Sequence, residues 1–588
     1  MTSSKIKNIF SSGEVIAWGF LIIFPILMLS NILWTPIHIH SDDYFHLSRI
    51  YNLYQSRFDF LYPQNFASLG RVGSIVNVFY PPVLLQMITA ILPKGLGAIT
   101  VLKIVVCFVL YLNTIAVYVL LRYKLAKSRS FSLAMAIFWG AVVISFDIAS
   151  TGGEAIGKLS FPFIAYGLIN LRKKNAYIYL VLGFSFALYT HLLTTLFLVV
   201  FVLIYSLFVL FNQKEWVSVV LTGVKTIALT ALTGMIVYLP VIYFGHYNEI
   251  AFPPQPASFF TGYNRIYLSS IIENPMYLVM IAFVIISIFI TKKISLGTSL
   301  SLIIALLGTA ASSWPFFLQH TSVNVIQFPY RLFQWGLYMA IMFSIFSLAN
   351  ISKQFKNQKT ILICSVIFSI FLGSGIYQYW FPKVNEDGTL WVATTKDVET
   401  SIDKNEDGYH LYDFPSFTDS MLDDSASWNL MNFSDYAPRH VLKDTQSKFL
   451  KYDDRAKHVA MHELKTSTNH YVETKNFTSS YNMISFSPSS DVHATKIALP
   501  VFGYNKTKLN VFINGKLVSY NIENGLVTVS GSLKSSDVIV IKQMVPLVEK
   551  MAFVFSALGW IIFISFVFKI RKNKRYKRES EGIEGKVN

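Results

Sequence analysis

Two adjacent carboxylates, Asp42 and Asp43, stand in the stretch His40-Ser41-Asp42-Asp43-Tyr44-Phe45-His46-Leu47-Ser48-Arg49, just beyond the first long apolar run. If Ser41 caps a helix, Asp42, His46 and Arg49 fall at i, i+4 and i+7, on one face. Such a face can take a proton from a hydroxyl nucleophile, hold a divalent ion through its carboxylates and grip a phosphate through the guanidinium. A plainer account fits the same residues: acidic side chains in a first turn favour the helix macrodipole, and an Asp to Arg spacing makes a surface ion pair.

Glu154 follows Thr151-Gly152-Gly153, where glycines allow close backbone approach, and Lys158 one turn on can neutralise it or meet a phosphate. Glu154 would serve equally as a helix-start residue. Arg331 ends Gln327-Phe328-Pro329-Tyr330-Arg331, and its guanidinium suits a lipid-linked phosphate as well as it suits anchoring in headgroups. His191 lies between two apolar runs, where a packing role is the commoner one. Tyr80, before Pro81-Pro82, and Arg265, among the aromatics of 247–267, are further candidates for holding substrate, although interface belts of aromatics look the same. Of the histidines from His410 to His493 only His458 and His462 stand at a ligand-like i, i+4 spacing, and no zinc site is expected.

The elements that must position these residues are membrane helices. The 588 residues are 53% hydrophobic and 14% charged, with a mean hydropathy of +0.47, which excludes a soluble enzyme of this length. About twelve runs reach spanning length: 15–35, 98–121, 131–149, 156–171, 176–190, 192–211, 219–243, 275–291, 296–313, 332–350, 360–380 and 547–568. With the N-terminus inside, the basic clusters beside these runs all fall on the cytoplasmic side. The net charge of +17 is therefore topological, and no nucleic-acid partner is expected. The two cysteines, Cys107 and Cys364, lie in apolar runs and offer no disulfide framework.

The organisation expected is a membrane domain over 1–380 with a first external loop at 36–97, an extracellular β-rich domain at 381–546, a final helix at 547–568 and a basic cytoplasmic tail at 569–588. The segment 381–546 carries 17 Lys/Arg against 20 Asp/Glu, unlike the rest of the chain. Its second half alternates as strands do at 508–513, 517–522, 526–530 and 538–542, with Asn514-Gly515 and Asn524-Gly525 at hairpin positions, so a β-sandwich is predicted.

An acidic motif in the first loop of a many-helix protein resembles the GT-C glycosyltransferases: Asp42-Asp43-Tyr44-Phe45-His46 is similar to their Asp-Glu-x-His-Phe and Asp-Pro-x-Phe-Asn patterns. Together with Phe79-Tyr80-Pro81-Pro82 and Gln327-Phe328-Pro329-Tyr330-Arg331 it also resembles bacterial membrane proteins termed pyruvoyl-tetrahydropterin-synthase-related. The stretch 508–516 resembles the terminal domain of YfhO-type proteins. The resemblance implies a GT-C-like bundle in the bacterial cell membrane that moves a sugar from a polyprenyl-phosphate donor to an envelope acceptor, a cell-wall polymer, glycolipid or protein. It makes Asp42 the base or a metal ligand, with Asp43 its neighbour; in the reaction expected here Asp43 or Glu154 orients acceptor or metal. Asp at 43, where the family has Glu or Pro, leaves the division of labour open. His46, Arg49, Tyr80, Lys158, His191, Arg265 and Arg331 are the substrate-binding candidates. A divalent cation, Mg or Mn, held by Asp42 and Asp43 is the only cofactor it suggests. The partners implied are the donor lipid, the acceptor, membrane lipid, and an upstream lipid-sugar synthase and flippase. The competing readings are a transporter or flippase for an envelope glycolipid and a non-catalytic scaffold.

Overall fold

Backbone N–H and C=O groups that pass through hydrocarbon must be satisfied within their own segment, which makes long apolar runs helical. All twelve runs contain helix: Ser12–Met28, Ala98–Val119, Arg129–Asp147, Ser160–Ile169, Ala176–Leu188, Leu192–Phe211, Trp216–Thr233 with Met235–Tyr247, Pro275–Thr291, Leu296–Thr309, Tyr330–Ile351, Gln358–Tyr379 and Leu547–Glu584. The computed structural model describes residues 12–584 other than 35–40, 60, 68, 148–150, 212–215, 252–274, 310–313, 315, 322, 324–325, 327–328, 356, 380–435, 442–457 and 460. At 31, 41–44, 69, 145–147, 151–152, 275, 316, 319, 371–379 and 574–584 it describes the backbone alone. Among the described residues five helices, Ala98–Lys124, Leu192–Phe211, Trp216–Thr233, Tyr330–Gln354 and Leu547–Asn573, are long and apolar enough to cross a membrane. They expose Leu203, Leu207, Ile227 and Ile561 outward, a surface suited to lipid and not to water. The chain is a membrane protein.

Two runs depart from the expected single helices. The run at 219–243 is two helices that meet at Gly234, where the Thr233 carbonyl, freed by the break, accepts hydroxyl hydrogen bonds from Tyr189 and Ser556. The last helix crosses here on Gly559, where a Cβ would meet the Leu232 and Thr233 backbone at 2.8 Å. The run at 156–171 becomes α-helical only from Ser160, after Thr151–Ala155, which is wound as a wider π turn. Such turns disturb the regular ladder and re-aim their side chains.

The first helix runs antiparallel to Ala98–Val119. Near one end Lys103 donates to the Leu33 carbonyl at 3.4 Å. At the other, Glu14 is buried against Arg122 at 2.6 Å and the Tyr118 hydroxyl at 2.9 Å. Beyond the Lys103 end, helices Ser41–Ser56, Val76–Phe79 and Val83–Ala90 follow, and Ser41–Ser56 packs on both Ala98–Val119 and the Thr151–Ala155 turn.

The C-terminal region forms two five-stranded sheets. One orders β2(Tyr471–Val472), β1(Leu464–Thr466), β5(Lys496–Phe502), β9(Leu526–Ser530) and β8(Tyr520–Glu523). The other orders β3(Thr474–Ser480), β4(Met483–Pro488), β10(Ile539–Met544), β6(Lys508–Ile513) and β7(Lys516–Val518). Neighbouring strands in both sheets pair antiparallel, and Ile484, Phe486, Leu499, Val511, Val529 and Ile541 are buried between the sheets. Each such side chain is worth about 1.5–3 kcal/mol. Asn514 and Gly515 have φ of 51° and 76°, and Asn524 and Gly525 have 51° and 77°. Positive φ at both central residues gives the tight turn whose twist matches a hairpin. The strand expected at 517–522 instead divides: β7 stays with β6 while β8 pairs with β9 in the opposite sheet. Chain that leaves one sheet for the other at a corner must break its ladder between them.

This sandwich rests directly on the first polar segment. Phe66 is wholly buried in its core, and Tyr504 donates to the Tyr436 carbonyl at 2.8 Å beside Phe79, whose ring stacks on Tyr436 at 5.7 Å. No bilayer fits between surfaces in such contact. The two polar regions lie on the same side of the membrane.

Candidate functional site

Helix Ser41–Ser56 begins at Ser41, so Asp42 and Asp43 occupy its first turn; their side chains lie outside what is described. His46 and Arg49 follow on the side turned to the protein, 5% and 0% exposed. Arg49 stacks on the Tyr80 ring at 4.2 Å, donates to the Tyr80 carbonyl at 3.0 Å and stands 3.5 Å from His46 Nδ1. Burial draws the Arg49 guanidinium down to about 10, which leaves it charged at neutral pH. Burial, with Arg49 beside it, pushes His46 well below the ordinary histidine range, so it is neutral.

Tyr80 joins this pair to a second group. Its ring lies 5.5 Å from that of His191, and its hydroxyl sits where a Cβ on Gly153 would be, 2.2 Å away. The next residue, Glu154, accepts a hydrogen bond from Lys158 at 2.7 Å and another from the indole N–H of Trp335. Lys158 is fully buried, its ammonium 4.7 Å from the Tyr338 ring centre. Burial alone would raise the Glu154 carboxyl, but the charges of Lys158 and then Arg331 outweigh it and hold it well below the usual carboxylate range. His191 Nδ1 accepts the Thr194 backbone N–H at 3.3 Å, which leaves Nε2 as the protonated nitrogen of a neutral ring. Arg331 donates to the Ile326 carbonyl at 3.3 Å from the start of the helix that carries Trp335 one turn on.

The structure thus brings together His46, Arg49, Tyr80, Glu154, Lys158, His191 and Arg331. Arg265 lies outside the described residues. His458 and His462 do not converge: His458 pairs with Glu463, and His462 Nε2 donates to the Gly70 carbonyl at 2.8 Å. Trp335, Tyr338 and Thr194 join the site without having stood out in the sequence; the one signal for Trp335 is its place as the i+4 neighbour of Arg331 on an apolar helix. Among the described residues no cluster of three or more His, Cys, Asp or Glu could hold a metal. The Mg or Mn expected on Asp42 and Asp43 falls on side chains outside what is described.

No family model matches the chain, and no curated protein matches it. Among solved structures it is similar to arabinofuranosyltransferase AftD from Mycobacteria, at 11% identity and a TM-score of 0.36. The match covers 67% of this chain and 29% of that one.

Proposed function

We propose that the protein is a membrane glycosyltransferase of the GT-C type, which transfers a sugar from a polyprenyl-phosphate donor to an envelope acceptor on the outer face. One observation carries this reading: buried His46 and Arg49, on the helix whose first turn holds Asp42 and Asp43, gather with Lys158, Glu154, His191 and Arg331. Cationic side chains at the end of a membrane bundle meet the depth at which a lipid-linked phosphate lies. The acceptor oxygen attacks the anomeric carbon as the bond from that carbon to the phosphate oxygen breaks. Asp42 takes the acceptor's proton, and polyprenyl phosphate leaves with the electron pair. Arg331 and Lys158 stabilise the charge that grows on the leaving phosphate. Glu154, fixed by Lys158 and Trp335, orients the acceptor. A divalent ion on Asp42 and Asp43 would add further stabilisation of that phosphate.

The test is release of polyprenyl phosphate by the purified protein in liposomes, from a panel of polyprenyl-phosphate sugars. Asp42→Asn should lower turnover by about 100-fold to 10,000-fold, the usual worth of a general base, while donor binding persists. Parent-level turnover in Asp42→Asn, Asp43→Asn and the double variant would overturn the assignment. An intact parent that consumes no donor, yet carries a glycolipid across the bilayer, would point to transport instead.

A further inference from the structure

Directly after Tyr80 in the chain, Pro81 and Pro82 line a cleft with two joined recesses. The first opens to solvent and is lined by Tyr62, Pro82, Asn77, Val237, Pro240 and Glu549. The second shares Tyr62, Asn77 and Pro82 and adds Asn52, Gln64 and Tyr481. The cleft therefore lies where the first polar segment, the broken helix at Gly234, the last helix and the sandwich meet.

Its polar lining is incomplete in a patterned way. Asn77 donates to Asn52 Oδ1 at 3.0 Å, which spends one amide atom of each and leaves Asn52 Nδ2 and Asn77 Oδ1 buried without a hydrogen-bond partner. Turning both amides over together leaves the same complement, one donor and one acceptor side by side. Gln64 uses its amide N–H groups on the Gly73 and Phe502 carbonyls, each at 3.0 Å, and its Oε1 too is buried without a partner. Glu549, 5% exposed, adds a carboxyl group among proline and valine. Unmade hydrogen bonds at buried polar atoms cost about 1–3 kcal/mol each, so three in one cleft call for a ligand that completes them.

We infer that this cleft is a saccharide-binding site. Adjacent ring hydroxyls, one accepting from Asn52 and one donating to Asn77, match the buried, unpartnered donor and acceptor. Further hydroxyls donate to Gln64 Oε1 and Glu549, and the C–H face of the ring packs on Tyr62 and the prolines. As an acceptor site this deepens the glycosyltransferase reading: Asn52 is one turn beyond Arg49 on the same helix, and Pro81 directly follows Tyr80. As a saccharide site it rests on the cleft alone.

The experiment is saturation-transfer NMR on the full-length protein in nanodiscs, with a set of methyl hexopyranosides, methyl pentofuranosides and methyl N-acetylhexosaminides. The hydroxyl-free ring tetrahydropyran serves as control. The parent should give signal from at least one glycoside and none from the control. Asn52→Asp keeps the oxygen that Asn77 needs and puts an acceptor-only, anionic oxygen where the unpartnered donor stood; it should weaken that signal about tenfold or more. Glu549→Gln should weaken it less. An unchanged binding isotherm for a polyprenyl-phosphate sugar verifies that each variant is folded. No glycoside signal in the parent, or equal signal in Asn52→Asp, would overturn the inference and leave these amides to ordered water. Glycoside binding without any donor consumption would sink the enzyme reading and leave the saccharide site standing. Donor consumption without glycoside binding would do the reverse.

Discussion

Gln543 grips Gln64 at both ends of one residue: its side-chain N–H donates to the Gln64 carbonyl at 3.0 Å and its side-chain oxygen accepts the Gln64 backbone N–H at 2.8 Å. The two residues are 479 positions apart, and the contact reproduces the two-bond exchange of an antiparallel strand pair with a side chain as one partner. It fastens the last strand of the sandwich to the segment that follows the Ser41–Ser56 helix.

Replacing Gln543 by leucine should leave two buried backbone groups unpaired, at a cost of about 1–3 kcal/mol each. The expected result is a lower thermal midpoint and faster protease cleavage between the sandwich and the membrane bundle. Unchanged cleavage kinetics would show that the clamp carries no docking energy.

Glu154 and Lys158 should behave as a unit. Lys158→Met leaves a buried carboxylate without its closest cation and should cost about 3–5 kcal/mol, as should Glu154→Gln with the charge reversed. The double variant should recover most of the lost thermal stability without recovering sugar transfer. A double variant as unstable as either single one would show that each residue acts on stability through partners other than its mate.

Arg331 separates a phosphate contact from a lipid anchor. Lysine supplies a point charge in place of a bidentate fork, so Arg331→Lys should retain part of the turnover that Arg331→Ala loses. Full turnover in the alanine variant would reduce Arg331 to an anchor in the headgroups.

His462 gives the sandwich a pH dependence. Burial, and then the nearby Arg71 charge, depress its imidazole to about 4, against the opposing Gly70 hydrogen bond. The unfolded chain therefore takes up this proton first as pH falls. Stability from this group is complete above the ordinary value of 6.5 and drains away as pH drops towards about 4, by about 3 kcal/mol at most. The thermal midpoint of the sandwich should fall over that window, and His462→Asn should flatten the slope. An unaltered slope in the variant would place the titration elsewhere.

Sidedness is checked by cysteine labelling. Both Ser490, in the sandwich, and Ser128, between two bundle helices, are exposed. In intact cells an impermeant thiol reagent should label Ser490→Cys and spare Ser128→Cys. The opposite pattern would put the sandwich inside the cell.

The helices were legible because hydrocarbon imposes one rule on every residue of a run, and the hairpins because Asn-Gly is nearly obligatory where two successive φ values are positive. What escaped the sequence needs tertiary information. The break at Gly234 is stabilised by hydroxyls from Tyr189 and Ser556, neither of them local. The β7 to β8 corner depends on which sheet offers a free edge. At the site, Glu154 with Lys158 could be paired from their spacing, and His46 with Arg49 placed on one helix face. That Tyr80 would bridge the two groups, with Trp335 closing on Glu154 from a helix 181 residues away, had no local signal.

Phe66 lies in a sandwich core whose strands the ribosome makes long after it. Its covering strands, β4 to β10, emerge more than 400 residues after it. At about 5–20 residues per second that is a delay of roughly 20–80 s or more. Throughout that interval an apolar side chain and the Gln64 backbone groups stand bare on the freshly inserted loop. Assembly of this protein therefore includes a waiting period in which the early loop must be shielded, by the bilayer surface or by a holding chaperone, until its own far end arrives to cover it.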